Sequence, residues 1–577
     1  MKTLRISFVI SLFLLAAGSA RGQTIYVDAN AAGANNGSSW TNAYIYLQDA
    51  LTASVSGDQI WVAQGTYKPD QGSGKTLGDR LATFELKAGV SLYGGFPVGG
   101  GTWEQRDPNI HETILSGDLN GDDEPNFENN GENSYHVTHI GWTSGTTVLD
   151  GFTIAGGNAN ASYPDNAGGG LLNLGGGLLI LTNCLNTQNY ASATGGGVAI
   201  FNPGTSGTVT GCIINHTIFM DNRCPSPMTG SYYGGAIYLR GASPVLENCK
   251  FIGNIGKNGG AIYCFSFGGS PEKQRYSNPT IINTSFIGNA TSTYGGAIYI
   301  RGQSSPKLIN CIFVGNSAVS GGAIYEDPVF VRTNATYRNC TIVGNCAADQ
   351  GGGMCYLKFD YSPLSTFKNC ILWGNRDSSG INEWSQIRWE YRQVAEVSVT
   401  NSCIQDIDPN DVNIPFGGAA NHNIDDNPNF VRDPNDGGDG WGVGDNDDFG
   451  NLRLSTGSPC IDDANNAAVP ADTTDIDGDG NITEPTPWDL DGRPRFTDGD
   501  CNSTDIVDMG AYEFTYAYFG DFDEQCDVDF VDLAILASQW LELPGSPSAD
   551  IAPEDLDGIV DELDLAVLVE HWLMSFE

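Results

Sequence analysis

Two columns of side chains recur at fixed positions between residues 234 and 375. After each Gly-Gly-Ala-Ile phrase stand Tyr238, Tyr263, Tyr299, Tyr325 and, in a looser copy, Tyr356; two residues further on stand Arg240, Phe265, Arg301, Asp327 and Lys358. Positions i and i+2 of an extended strand share a face, and stacked strands repeat about every 5 Å, so each column would form a stripe. An aromatic stripe flanked by guanidinium and ammonium groups suits sugar rings and their carboxylates or sulfates. The alternative is that the tyrosines stack only to hold neighbouring coils together. A second set of residues has the spacing of a calcium loop. In Asp475-x-Asp477-x-Asp479-Gly480-x-Ile482 alternate carboxylates can converge on one ion while Gly480 permits the sharp turn, and calcium is the expected cofactor. Thr486 takes the twelfth position of that loop, which leaves closure to a residue such as Glu484. The stretch Ser116-Gly117-Asp118-Leu119-Asn120-Gly121-Asp122-Asp123 reads either as another cation loop or as an Asn/Gly turn.

The elements that would position these groups are short strands. Gly-Gly-Ala-Ile-Tyr occurs at 234–238, 259–263, 295–299 and 321–325, with a variant at 352–356. Asn-Cys-x-Phe-x-Gly-Asn occurs at 248–254 and 310–316, with variants at 283–289, 339–345 and 369–375. Repeats of this length, alternating with period two and rich in glycine, indicate a β-solenoid rather than stacked helices. Alternation turns Ile237, Ile262, Ile298 and Ile324 inward, together with Cys249, Phe251, Cys311, Phe313, Cys340 and Cys370. Asn254, Asn289, Asn316, Asn345 and Asn375 fall at the corner after a strand, where Asn tolerates a left-handed backbone and its amide can form a ladder between coils. The expected fold is all-β, a right-handed parallel β-helix followed by a small α-helical calcium-loop module.

The paired phrases resemble the repeats of polymorphic outer-membrane proteins within the pectin-lyase-like β-helix architecture, over residues 150–405. That architecture carries lyases, hydrolases, adhesins and inert stalks, so the resemblance implies a fold and leaves the chemistry open. For a lyase it implies Arg240, Arg301 or Lys358 as base, with Asp327 or Glu326 as acid or metal ligand. The chain lacks the Gly-His-Gly and Arg-Ile-Lys phrases of polygalacturonases and the Asp-His strand phrase of pectate lyases.

The flanks complete the organisation. Lys2, Arg5, the apolar run Ile6–Ala17 and Gly18-Ser19-Ala20 read as a signal peptide over 1–22, which implies export to the outside or the cell surface. No later run is long enough to span a bilayer. Residues 23–80 read as an N-terminal cap with first rungs, including a short amphipathic helix within Tyr44–Val55; 81–405 as the β-helix; 406–515 as irregular terminal rungs and an acidic cap. Acidic residues outnumber basic ones 69 to 27, a field that disfavours nucleic acid. Most cysteines read as small core residues, and Cys460 with Cys501 is the pair to test first for a disulfide.

The phrases Asp489–Arg495 and Val507–Glu513 resemble the closing motif of exported bacterial β-helix proteins that carry C-terminal anchors. Beyond them, Val528–Leu541 aligns with Val560–Leu573 at eight of fourteen positions, each copy an acidic loop running into an amphipathic helix. Residues 516–577 thus resemble a type I dockerin, which implies calcium-dependent docking to a cohesin on a scaffold protein. The family's ligand positions fall on Asp521, Asp523 and Asp532 in the first loop, where Gln525 and Cys526 depart from the pattern. In the second they fall on Asp555, Asp557 and Asp564, with Pro553 at the first position. The expected function is an exported β-helix that binds, and in one reading degrades, a polysaccharide; the competing expectation is a non-catalytic adhesin or stalk.

Overall fold

The structure, a computed structural model, describes residues 22–570 apart from 143–144, 203–210, 226–232, 267–275, 329–332, 357–364, 390–396, 406–420, 444, 500, 503, 516–527, 529, 542–547 and 550–559. One coil shows how the repeat is built. Val245–Glu247 passes through the corner Asn248-Cys249 into Lys250–Ile252, and the corner Gly253-Asn254 leads into Ile255–Asn258. Gly259-Gly260-Ala261 bends the chain into Ile262–Phe265, from which it returns to the starting sheet at Thr280–Ile282. Repetition from Thr24 to Ile404 gives four sheets of 12, 11, 9 and 10 strands, numbered one to four in the order a coil meets them. Their strands pair in parallel except at Gly380–Ile381.

Local chemistry fixes each corner. Gly295 has φ +66°, and a Cβ on Gly296 would lie 1.9 Å from the Gly322 carbonyl oxygen. The first glycine is therefore demanded by backbone hand and the second by the approach of the next coil. Asn254, Asn289, Asn316, Asn345 and Asn375 are buried and form the expected ladder, each Nδ2 donating to the next Oδ1 at 2.9–3.0 Å. Gln386 ends it, accepting from Asn375 at 2.7 Å. The left-handed backbone is not on these residues, contrary to expectation. It lies on the preceding Gly253, Gly288, Gly315, Gly344 and Gly374, and on Asn248, Asn283, Asn310, Asn339 and Asn369 at the corner between sheets one and two.

The lumen is filled as alternation predicts. Ile237, Ile262, Ile298 and Ile324 are fully buried, and Phe219, Phe251, Phe286 and Phe313 stack nearly parallel with centroids 4.6–4.9 Å apart. Cys249, Cys311, Cys340 and Cys370 are free thiols that donate to corner carbonyls at 3.2–3.3 Å. Burial pushes the Cys249 thiol up to about 12, which keeps it protonated. The candidate pair Cys460 and Cys501 is not bonded together: Cys501 is disulfide-bonded, but Cys460 is free and interacts with Cys403.

Thr24–Val27 opens sheet one by pairing with Gln59–Ala63, and the helix Leu47–Ala53 buries Leu47, Ala50 and Leu51 against this end, closing it. At the other end the expected terminal rungs are absent among the described residues, beyond a single bridge from Cys403 to Ile424. Phe430, Leu452, Leu454, Cys460, Met509 and Ala511 instead pack sideways on the outer residues Ile312, Val314, Val343 and Ile371 of sheet two. Residues 424–515 are a lateral clasp. The reason is a buried side chain: Arg495 pairs with Glu513 at 2.6 Å and donates to Asn310 Oδ1 at 2.9 Å, tying the closing motif to a coil corner. In the last segment Phe530–Ser538 and Glu562–Glu570 are helices whose neighbourhood shares an apolar cluster of Val528, Leu536, Ala549, Val560 and Leu568. No helix among the described residues is long and apolar enough to cross a membrane.

Candidate functional site

Sheet four positions the tyrosine column. Tyr238, Tyr263, Tyr299 and Tyr325 are register partners in consecutive coils and project from the face opposite the Ile column, as alternation requires. They are not exposed, however. Their exposures are 5%, 0%, 5% and 2%, because the rings pack on one another at 4.9–5.7 Å and Tyr233 and Tyr294 lie over them. Of the two expectations, a ligand-facing stripe and a stack that joins coils, the geometry is that of a covered ladder. Tyr356 does not belong to it. Its register partner is Glu326, because the last repeat begins at Gly351 and carries a third glycine, so Tyr356 faces the lumen and Cys355 takes the tyrosine position.

Beside the ladder lies a polar group. Tyr299 Oη donates to Asp327 Oδ2 at 2.8 Å, and Arg301 Nε approaches the same oxygen at 3.4 Å. Arg301 Nη1 also reaches Tyr233 Oη at 3.5 Å. Burial raises the Asp327 carboxyl while Tyr299 and Arg301 pull it down, with the net shift upward. Burial likewise opposes the Arg301 charge, but Tyr263, Tyr299 and Asp327 outweigh it, so the guanidinium is held protonated. An arginine so held can donate hydrogen bonds to an anion. Its side chain is 35% exposed, against 7% for Asp327, and Tyr294, which lies over Tyr325 from the end of a sheet-three strand, is 39% exposed. Phe265 and Arg240 occupy the same outward column one and two coils earlier. Lys358 lies outside the described residues.

Glu326 follows Tyr325 and therefore points the other way, into the lumen, where it accepts from Thr333, Tyr337 and Ser365 at 2.6–3.0 Å. Burial pushes its carboxyl up to about 7. Glu326 and Asp327 thus lie on opposite sides of one strand, and they cannot flank a common glycosidic bond as a pair of acids must.

Of the acidic residues expected to hold metal, Asp475, Asp477 and Asp479 each offer an oxygen within 4.8 Å of the others, and Asp472, Asp477 and Glu484 form an overlapping group. The Glu484 group thus shares only Asp477 with the Asp475–Asp479 set. This donor set of carboxylate oxygens fits a hard cation such as calcium. Asp532 and Asp564 are buried at the starts of the two terminal helices, and Asp564 Oδ2 accepts from the Asp561 amide. Asp521, Asp523, Asp555 and Asp557 lie outside the described residues. One pair escaped sequence reasoning: His139 Nδ1 meets Glu85 Oε2 at 2.5 Å on the outward face at the N-terminal end of sheet four. Only their pairing across coils, 54 residues apart, reveals it.

With this geometry in place, residues 232–404 match the family model described as a right-handed β-helix region. The coil is a right-handed β-helix. Among solved structures, a pectate lyase, Pel9A, shares 14% identity at a TM-score of 0.41, covering 86% of this chain and 98% of that one. A rhamnogalacturonan lyase shares 13% at 0.33, covering 66% and 87%. PfbA, a surface adhesin of Streptococcus pneumoniae, shares 15% at 0.27, covering 63% and 76%. No curated protein matches the sequence.

Proposed function

We propose that this protein is an exported polysaccharide-binding β-helix whose ligand lies along the corner where sheet four passes into sheet one. The observation that carries this reading is a contrast between corners. Connections from sheet one to two, and from two to three, are two residues long in coil after coil, as at Asn248-Cys249 and Gly253-Asn254. Those from sheet four to one vary: Arg240 to Val245, Phe265 to Thr280, Arg301 to Lys307 and Asp327 to Thr336. Variable loops along one edge of a rigid scaffold are where binding residues are commonly carried. Arg301 ends its sheet-four strand at that edge, and the exposed Tyr276 lies in the loop from Phe265 to Thr280, groups suited to a sugar ring bearing a carboxylate or sulfate.

The proposal includes calcium at Asp475, Asp477 and Asp479, and a C-terminal module that docks to a cohesin-type scaffold protein as its dockerin-like repeat suggests. Glycan binding is favoured over cleavage, since Glu326 faces inward. A stalk or adhesin shaft is the second reading, and the covered tyrosine ladder favours it because those rings only join coils. The test offers the full chain a panel of uronic, sulfated and neutral polysaccharides, with calcium or chelator. Affinity electrophoresis would be followed alongside reducing ends and unsaturated-uronate absorbance. Retention by one glycan, weakened in Arg301→Ala, supports binding at this corner; no retention across the panel supports the stalk.

A further inference from the structure

The connection from Thr113–Ser116 in sheet two to Thr138–Ile140 in sheet four has no sheet-three strand of its own. Its loop instead folds over Asn158–Ala159, the first strand of sheet three: the Ser134 amide donates to Gly117 O, and the Asn158 amide to Ser134 O. Here Asp118, Asp123 and Glu132 each place an oxygen within 4.8 Å of the other two. A cluster of acids alone would decide nothing. Two neighbouring amides make the difference. Asn133 and Asn158 are 1% and 2% exposed, and both side-chain oxygens lack a donor. Asn133 is anchored in the cluster, since its Nδ2 donates to Asp123 Oδ2 at 2.7 Å and to Gly156 O at 2.7 Å. Asn158 Nδ2 donates to Asn130 O at 2.6 Å within the same loop. Asp123 Oδ1 and Glu132 Oε1 are likewise buried without a donor. Buried acceptors are nearly always satisfied, and four orphaned oxygens, two on the cluster's own carboxylates and two on amides, call for a positive charge.

The nearby cationic side chains do not supply it. Arg80 donates to the carbonyls of Asn133 and Asn158 and to Asn160 Oδ1, and Lys68 donates to Leu119 O. Asp118 turns its oxygens to the loop's own amides at Gly121, Asp122 and Asp123, which shapes the loop and leaves it available as an ion ligand.

We propose that Asp118, Asp123 and Glu132, with the side-chain oxygens of Asn133 and Asn158, form a binding site for a calcium-sized divalent cation that staples residues 117–134 onto the first strand of sheet three. Carboxylates mixed with neutral amide oxygens, five or more in number, suit calcium better than magnesium, which keeps most of its water. The site is separate from the Asp475 loop, and its role is to hold the irregular coil where sheet three begins.

The experiment uses the full chain and calcium itself. Bound calcium is counted by elemental analysis after equilibrium dialysis, and amide hydrogen exchange of peptides covering 117–134 is followed with calcium and with chelator. Asp123→Asn combined with Glu132→Gln is expected to lose one calcium per chain relative to the parent, while Asp475→Asn with Asp477→Asn keeps that ion. In the unaltered chain, calcium is expected to slow exchange across 117–134 by at least tenfold, a readout that stands even if the double variant folds poorly. Calcium-independent exchange in that segment overturns the proposal, as does an unchanged calcium count in a folded Asp123→Asn, Glu132→Gln chain.

Discussion

Replacing Asn316 with alanine removes the middle rung of the amide ladder, and its cost can be worked from the contacts. Asn316 Nδ2 donates to Phe286 O at 3.0 Å and to Asn345 Oδ1 at 2.9 Å. Its Oδ1 accepts from the backbone amide and from Nδ2 of Asn289, both at 3.0 Å. Alanine leaves the Asn289 backbone amide without a partner in a buried corner and removes one bond each from the Asn289 side chain, which keeps Phe251 O and Ile287 O, and from the Phe286 carbonyl. At ~1–3 kcal/mol for the stranded amide and ~1 kcal/mol for each lost bond, the expected loss is about 4 kcal/mol. Unfolding of a long solenoid need not be two-state, so a single denaturation midpoint is a poor gauge. Local opening is better followed by hydrogen exchange of peptides spanning residues 286–290 and 313–317. A cost of that size raises the local opening constant by roughly a thousandfold. An increase below about tenfold would refute the view that the ladder, rather than the apolar lumen alone, holds the coils in register.

Three further outcomes follow from buried groups. Glu326 is neutral-preferring when folded: its carboxyl, at about 7 against an ordinary 4.5, supports stability fully below pH 4.5, and that support is lost as pH rises through 7. Glu326→Gln should therefore flatten the fall between pH 5 and 8 and be the more stable protein at pH 8 by roughly 3 kcal/mol, measured by urea unfolding followed through coil peptides. Arg495→Ala strands Glu513 and frees Asn310, a buried-pair break expected to cost ~3–5 kcal/mol; limited proteolysis should then release the clasp from an intact coil, and Arg495→Lys should not restore it, having no planar fork for Gly510, Ala511, Asn310 and Glu513 together. Cys249, Cys311, Cys340 and Cys370 should resist a thiol reagent at pH 8 in the native protein and react on unfolding, as fully buried thiols do.

Much of the fold was legible because a solenoid repeats its reasons. The Ile column, the inward cysteines and the Asn ladder could each be read from spacing, since one residue type must meet itself in the next coil. The failures have physical causes as well. Alternation gives the side of a strand and says nothing about what covers it, so it puts the tyrosines on the correct face and leaves open whether they meet ligand or only one another; Tyr233 and Tyr294, outside the repeat phrase, cover them. Counting back from Tyr356 ignored the extra glycine at Gly351, and a one-residue slip moves a side chain from one face to the other. The left-handed corner was assigned to Asn254 and its equivalents although glycine preceded each of them, and glycine takes that backbone at lower cost. The lateral clasp was hidden because its anchor, Arg495 to Asn310, spans 185 residues and leaves no local pattern. The Arg301–Asp327–Tyr299 group was half legible: the column was visible, but the hydrogen bonds that hold Arg301 charged depend on packing.

The claim that a polysaccharide lies along the corner from sheet four to sheet one is tested most directly by hydroxyl-radical footprinting of the full chain with the glycan it retains. The account predicts protection of Tyr276 and the segment from Arg301 to Lys307, with no change at Trp103, Trp142 or the clasp residue Trp441. Protection at those tryptophans with Tyr276 unaffected would contradict it.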